Sequence, residues 1–103
     1  MELRVAKCLL VSKVLVADGI MTENERIFLD RMMCRLELDE GERRRVLDLE
    51  GWDQAEPVVA KLSPEEKREF LATLVDASSA DGRLSPLEMA AVKRITEALG
   101  VEQ

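Results

Sequence analysis

The residues of this sequence with the clearest capacity for chemistry are carboxylates held in fixed company. Residues 17–25 read ADGIMTENE and residues 80–88 read ADGRLSPLE, so Asp18 and Asp81 each precede a glycine, while Glu25 and Glu88 each follow a hydroxyl residue by three positions. Beyond the loops the register holds without a gap, Arg31 matching Arg94 and Leu36 matching Leu99. An all-oxygen donor set of this kind suits a hard divalent cation such as calcium, magnesium or manganese, and not zinc. The same pattern has a purely geometric explanation. Glycine permits the positive φ that ends one helix, the hydroxyl accepts a backbone N–H of the next, and the glutamate reaches back to complete a capping box. Capping accounts for Gly, Ser/Thr and Glu; an aspartate at a helix exit can also make a local turn bond.

Register supplies a reason to look past capping. Glu25 shares a helical stripe with Phe28, Leu29, Met32 and Leu36, and Glu88 shares one with Ala91, Val92, Ile95 and Leu99, so both acids start faces that point inward. A carboxylate on such a face needs a partner. If a pseudo-twofold axis relates the two units, Asp18, Glu25, Asp81 and Glu88 could approach one another, and these four are the candidate metal ligands. The loops also look like the second half of an EF-hand, but the first and third ligand positions fall on Val14 and Val16 in one copy and on Ala77 and Ser79 in the other. A working EF-hand is therefore rejected.

Helices must position these acids. Residues 2–17 are apolar on most of their circumference, as befits the centre of a bundle, and Gly19 is placed to end that helix. Thr22-x-x-Glu25 starts the next, over roughly 23–36. In the linking segment Asp39-x-x-Glu42 caps a short helix that Gly51 would end, and Asp53-x-x-Glu56 opens another with Val58, Val59 and Leu62, provided Pro57 falls near its first turn. Ser63-Pro64-Glu65-Glu66 begins a helix to about Ala80, with Phe70, Leu71, Leu74 and Val75 inward and Gly82 as its stop; Ser85-Pro86-Leu87-Glu88 begins a last one, with Gly100 at its end. The expected fold is all-α: a compact bundle of about five to six helices with an internal pseudo-twofold helix-loop-helix duplication. It forms one domain over residues 1–103, with repeat one at about 2–38, linking helices at about 39–62 and repeat two at about 63–101.

Composition excludes several function classes. The formal net charge of −6 argues against a surface that tracks nucleic-acid phosphates. With no histidine and no CxxC pair, Cys8 and Cys34 cannot form a Cys/His zinc set and are expected to be small core hydrophobes. Glu2, Lys7 and Lys13 interrupt the first apolar run, so neither a signal peptide nor a membrane span is expected, and the reducing cytoplasm is the expected compartment. Arg43, Arg44 and Arg45, with Arg31 and Arg35, read as a solvated face pairing with Asp39, Glu40, Glu42 and Asp48, or else as a basic patch. Met32 and Met33 read as core filling. Trp52 is either an anchor for the linking segment or an interface residue.

On the duplicated ADG-x-(apolar)-(S/T)-x-x-E element, on the apolar runs CLLVSKVLVADG and LATLVDASSADG before each copy, and on RITEALGV closing the second, the sequence resembles the TerB-like family over nearly its whole length. That family comprises the tellurite-resistance TerB proteins and the related N-terminal domain of a DnaJ-like, membrane-anchored co-chaperone. The resemblance implies an all-helical pseudo-symmetric fold, membership in bacterial stress-response systems, and acidic residues that bind metal or a partner, which by position are Asp18, Glu25, Asp81 and Glu88. Met21, Asn24, Arg83 and Leu87 depart from the more acidic loops of the family.

Catalysis has little to stand on. No histidine offers a base, no basic group is arranged to activate a thiol, and no phosphate-binding glycine loop or nucleophile elbow is present. The functional expectations are, in order, a protein-interaction or scaffold module in a stress-response or envelope-associated system, with a homodimer as one form; a divalent-cation module built on the four loop acids; and, last, a small hydrolase using a carboxylate pair.

Overall fold

Among the described residues, four of six helices begin at a reciprocal side-chain cap that the sequence predicts. In the computed structural model, which describes residues 1–79 and 85–100, α1 spans Leu3–Leu15, α2 Glu23–Arg35, α3 Glu40–Leu47, α4 Trp52–Val59, α5 Pro64–Ser78 and α6 Pro86–Leu99. Capping boxes start α2 (Thr22 with Glu25), α3 (Asp39 with Glu42), α5 (Ser63 with Glu66) and α6 (Ser85 with Glu88). Each leaves two fewer backbone N–H groups without a partner, at roughly 1 kcal/mol per cap.

No side chain caps α1, whose stability comes from burial: nine of its 13 residues are buried, and it packs against all five other helices. Val5, Leu9, Leu10, Val11, Val14 and Leu15 form the middle of the core, met by Leu29 and Met33 from α2, Val46 from α3, Val59 from α4, Leu74 from α5 and Ile95 from α6. Each of these side chains contributes about 1.5–3 kcal/mol relative to exposure. Arg4, at the start of α1, ties down the exit of α2. Its Nη1 donates to the carbonyls of Leu36 and Glu37 at 3.4 and 3.0 Å, and its fork grips Glu42 at 3.0 and 2.9 Å.

The two repeats, α1–α2 and α5–α6, are bridged by α3 and α4, and that bridge breaks the symmetry. Both linking helices pack on α1, and α4 also packs on α6. Here the structure corrects several expectations. Val75, predicted to face inward, is exposed at 42%. Gly51 does not end α3, which stops at Leu47; it takes a left-handed φ of 82° and serves as the N-cap of α4. The Asp53–Glu56 cap therefore does not form, since α4 has already begun at Trp52. Pro57 lies inside α4 and not at its first turn. Its missing N–H leaves the Asp53 carbonyl without the usual helical donor, in keeping with a helix of only eight residues.

Gly19 likewise sits past the end of α1, with φ of 95° in the turn after Val16, its N–H donating to the Val16 carbonyl at 2.9 Å. The stop predicted at Gly82 lies outside the described residues. Cys8 is buried as expected, and burial pushes its thiol up to about 12. Cys34 is exposed on the outer side of α2 and is not a core residue. Met32 and Met33 do fill the core. The arginine run does not pair as predicted: Glu42 turns to Arg4, and Arg43 Nε donates to the Leu38 carbonyl at 3.2 Å.

Candidate functional site

The chemistry predicted from register converges on two of the four acids. Glu25 is 1% exposed and Glu88 is 3% exposed, each in the first turn of its helix. Their Oε1 atoms are spent on the caps, accepting from the N–H of Thr22 at 2.9 Å and of Ser85 at 3.3 Å, while Thr22 Oγ1 and Ser85 Oγ accept from the glutamate N–H groups at 3.2 and 3.1 Å. The other oxygen of each, Oε2, is buried and receives no hydrogen bond from the described residues. The two carboxyls are close enough to act on one another, and Glu25 is pushed up to about 7 from an ordinary 4.5, first by burial and then by Glu88.

That arrangement has a chemical reading. Two buried carboxylates side by side cannot both ionise without a large electrostatic cost. A proton retained on one carboxyl removes that cost and turns the group into a donor. A cation between them would remove the same cost. The pair takes one carboxyl from the first turn of α2 and one from the first turn of α6, so each repeat contributes one.

Of the two aspartates, only Asp18 falls within the described residues. Asp18 is exposed, and its Oδ1 accepts from the Ile20 N–H at 3.3 Å, the local turn bond available to an aspartate at a helix exit. Asp81 lies outside the described residues. Among the described residues no three acidic or cysteine side chains gather in a way that could hold a metal ion. Calcium takes about six to eight oxygens and magnesium about six; among the described residues Glu25 and Glu88 leave two carboxylate oxygens without a partner.

Sequence reasoning missed Lys13. Its ammonium rests 3.0 Å from the centre of the Trp52 ring, so Trp52 anchors α4 to α1 through a cation–π contact. Burial, and then the charge of Arg94 on α6, hold the Lys13 ammonium below its ordinary value, while Glu56 on α4 acts in the opposite direction. A cavity of about 220 Å³ lies where Lys13 meets Ala90, Ala91, Arg94 and Ile95. The only sequence signal was the single tryptophan.

Capped helices, a duplicated loop and a buried glutamate pair describe a fold, and comparison with protein families places it. The family model described as Tellurite resistance protein TerB matches residues 4–103. The chain belongs to the TerB family. No curated protein and no solved structure matches it. In this TerB protein the match runs through both repeats and the linking helices, so the duplicated loops belong to the family fold as a whole. No helix among the described residues of this TerB chain is long and apolar enough to cross a membrane.

Proposed function

We propose that this TerB protein is a non-catalytic interaction module that presents the junction of its two repeats to a protein partner. The observation carrying this reading is the exposure of large apolar side chains near the starts of α2 and α6, the helices that carry Glu25 and Glu88. Ile20 (73%) precedes α2, Ile27 (42%) lies in its second turn, and Leu87 (57%) and Met89 (55%) flank Glu88 in the first turn of α6. Large apolar residues left exposed at two helix starts, on a chain whose core is already filled, point to a surface that a partner covers. A catalytic use of the two glutamates is disfavoured because both are buried and spend one oxygen each on a cap. The family name associates such a module with tellurite resistance, and we place it in a cytoplasmic stress-response or envelope-associated system. Installing a photo-crosslinking residue at Leu87 in the source cell tests this. A discrete adduct, absent when the same residue replaces exposed Arg45, is expected; no adduct at Leu87 sinks the reading.

A second reading has its own support in the two buried Oε2 atoms without donors. A divalent cation seated on them would fix the packing of the two halves, with Asp81 and Asp18 as the remaining acids of the loops. A ligand that binds only the folded state raises its stability. Melting the chelator-treated protein at a pH above 7, with and without millimolar calcium, magnesium or manganese, should then give a saturable rise in Tm that Glu25→Gln removes. A Tm indifferent to all three ions leaves the loops as caps.

A further inference from the structure

Two cations share the small cavity where α1 meets α6. It measures about 220 Å³ and is lined by Lys13 of α1 and by Ala90, Ala91, Arg94 and Ile95 of α6, so every lining side chain that is not a cation is apolar. Bringing like charges to one small space costs free energy, and apolar walls, which screen less than water, raise that cost. Lys13 registers it: after burial, Arg94 is what holds the ammonium below its ordinary value.

Within the chain the two charges are left largely unbalanced. Among the described residues the ion pairs are those of Arg4 with Glu2 and Glu42 and of Arg26 with Asp30, and none reaches Lys13, Arg94 or Glu56. Glu56, one helical turn on from Trp52 in α4, offsets part of the repulsion at Lys13, yet its Oε1 is buried without a hydrogen bond. The Trp52 ring, its centre 3.0 Å from the Lys13 ammonium, takes one side of that group and adds no negative charge. The duplicated fold does not itself demand two cations here. In the register that matches Arg31 with Arg94, Lys13 matches Asp76, so the other repeat carries an acid and a base at the same two positions.

The lining decides the chemistry of an occupant. Lys13 and Arg94 offer only N–H donors, and the side chains of Ala90, Ala91 and Ile95 have no polar atom, so no lining side chain supplies an acceptor. Such a space fits a group made of acceptors that carries negative charge. An oxyanion meets both demands, two oxygens on the guanidinium fork and another on the ammonium, and two cations call for a dianion. Size restricts it further, because 220 Å³ lies below the roughly 300–1,000 Å³ of pockets that take drug-sized ligands. Entry is open on the α6 side, where Ala90 and Arg94 are exposed. A phosphate carried on a nucleic acid would bring its neighbours against a chain of net charge −6, which leaves a free anion as the better fit.

We propose that the cavity between Lys13 and Arg94 is a binding site for a small free dianion, a phosphate or a short dicarboxylate, held between α1 and α6. The site stands apart from the partner surface at Leu87, and either can fail alone.

Trp52 is the only tryptophan and lies against Lys13, which makes it a built-in reporter. Inorganic phosphate, and separately malonate, is titrated into the full chain while chloride holds the ionic strength constant, and the Trp52 emission is followed. A saturable change at millimolar concentration is expected with at least one of them; the one that binds more tightly identifies the geometry of the natural anion. Arg94→Gln should weaken that binding at least about tenfold. Lys93→Gln, at an exposed neighbour on α6 that does not line the cavity, should bind as wild type does. Both positions are exposed, and circular dichroism melts confirm that the variants stay folded. Phosphate strengthens folded proteins generally by exclusion from their surfaces, so a rise in Tm supports the site only where Arg94→Gln loses it. Emission that follows ionic strength alone, binding that Arg94→Gln leaves unchanged, or equal weakening by Lys93→Gln overturns the proposal, and the cavity then holds only water.

Discussion

Glu25 and Glu88 each commit one oxygen to the cap of their own helix and keep the other buried without a donor, and Glu88 stands near enough to help push the Glu25 carboxyl up. The pair gives the fold a pH dependence whose sign can be worked out. In the unfolded chain Glu25 loses its proton near the ordinary 4.5, whereas in the folded chain it holds it to about 7. Between these values the folded state binds more protons, so stability falls as pH rises. The contribution is fully present below about 4.5 and is lost as pH passes through about 7. No histidine titrates in that window to obscure it. Melts at pH 5 and pH 8 should differ by on the order of 10 °C, the higher Tm at pH 5. Glu25→Gln, which keeps the cap oxygen and offers an N–H to Glu88, should raise the Tm at pH 8 and flatten the profile. A wild-type Tm flat between pH 5 and 8 would show that the two carboxyls do not share a proton.

Adjacent residues on α5 should behave oppositely. Leu74 is fully buried and Val75 is 42% exposed. Leu74→Ala should cost about 2–5 kcal/mol in chemical denaturation, and Val75→Ala less than about 0.5. Comparable losses would mean that α5 is rotated relative to this description.

The bidentate Arg4–Glu42 pair, with its two carbonyl contacts, anchors the α2–α3 connection to the start of α1. Arg4→Ala should lower the Tm and speed amide exchange at Leu38 and Asp39. Arg26→Ala, which breaks only the exposed pair with Asp30, should leave the Tm unchanged.

Two backbone positions make a matched test. Glu37 is a non-glycine residue at a φ of 58°, and Gly19 stands at 95° with open space where a Cβ would project. Glu37→Gly should stabilise and Gly19→Ala destabilise, each by roughly 0.5–1 kcal/mol, readable in urea titrations.

The two thiols should separate cleanly. Exposed Cys34 should react with a thiol reagent in the native protein, and Cys8, buried and pushed up to about 12, only after unfolding. Two fast-reacting thiols under native conditions would contradict the burial of α1.

Much of this is legible in the sequence because caps and stripes are local codes. Thr22, Asp39, Ser63 and Ser85 each act within three residues of themselves, and the inward placement of Glu25 and Glu88 follows from helical period alone. What the sequence conceals depends on which segment covers which face. The apolar stripe of α5 points Val75 inward, but α3 and α4 pack on α1, so its pseudo-equivalent Ser12 is buried and Val75 is not. Cys34 departs from expectation for a similar reason: its side of α2 has no cover. Lys13 reads as an interruption in an apolar run, and only the position of Trp52 on α4 gives it a partner. The Asp53–Glu56 cap is a valid local signal overridden by Gly51, whose left-handed backbone starts the helix earlier.

The central place of α1 has a consequence for biosynthesis. It comes before every helix it packs against, so during synthesis a segment apolar on most of its surface leaves the ribosome with nothing to cover it. Its closest companion, α4, ends only at Val59, and the far wall from α6 begins at Pro86. Native contacts of such long sequence separation form late, and the nascent chain must be shielded until then, by a chaperone or by rapid completion. A protein of this architecture is most vulnerable to aggregation while it is still being made.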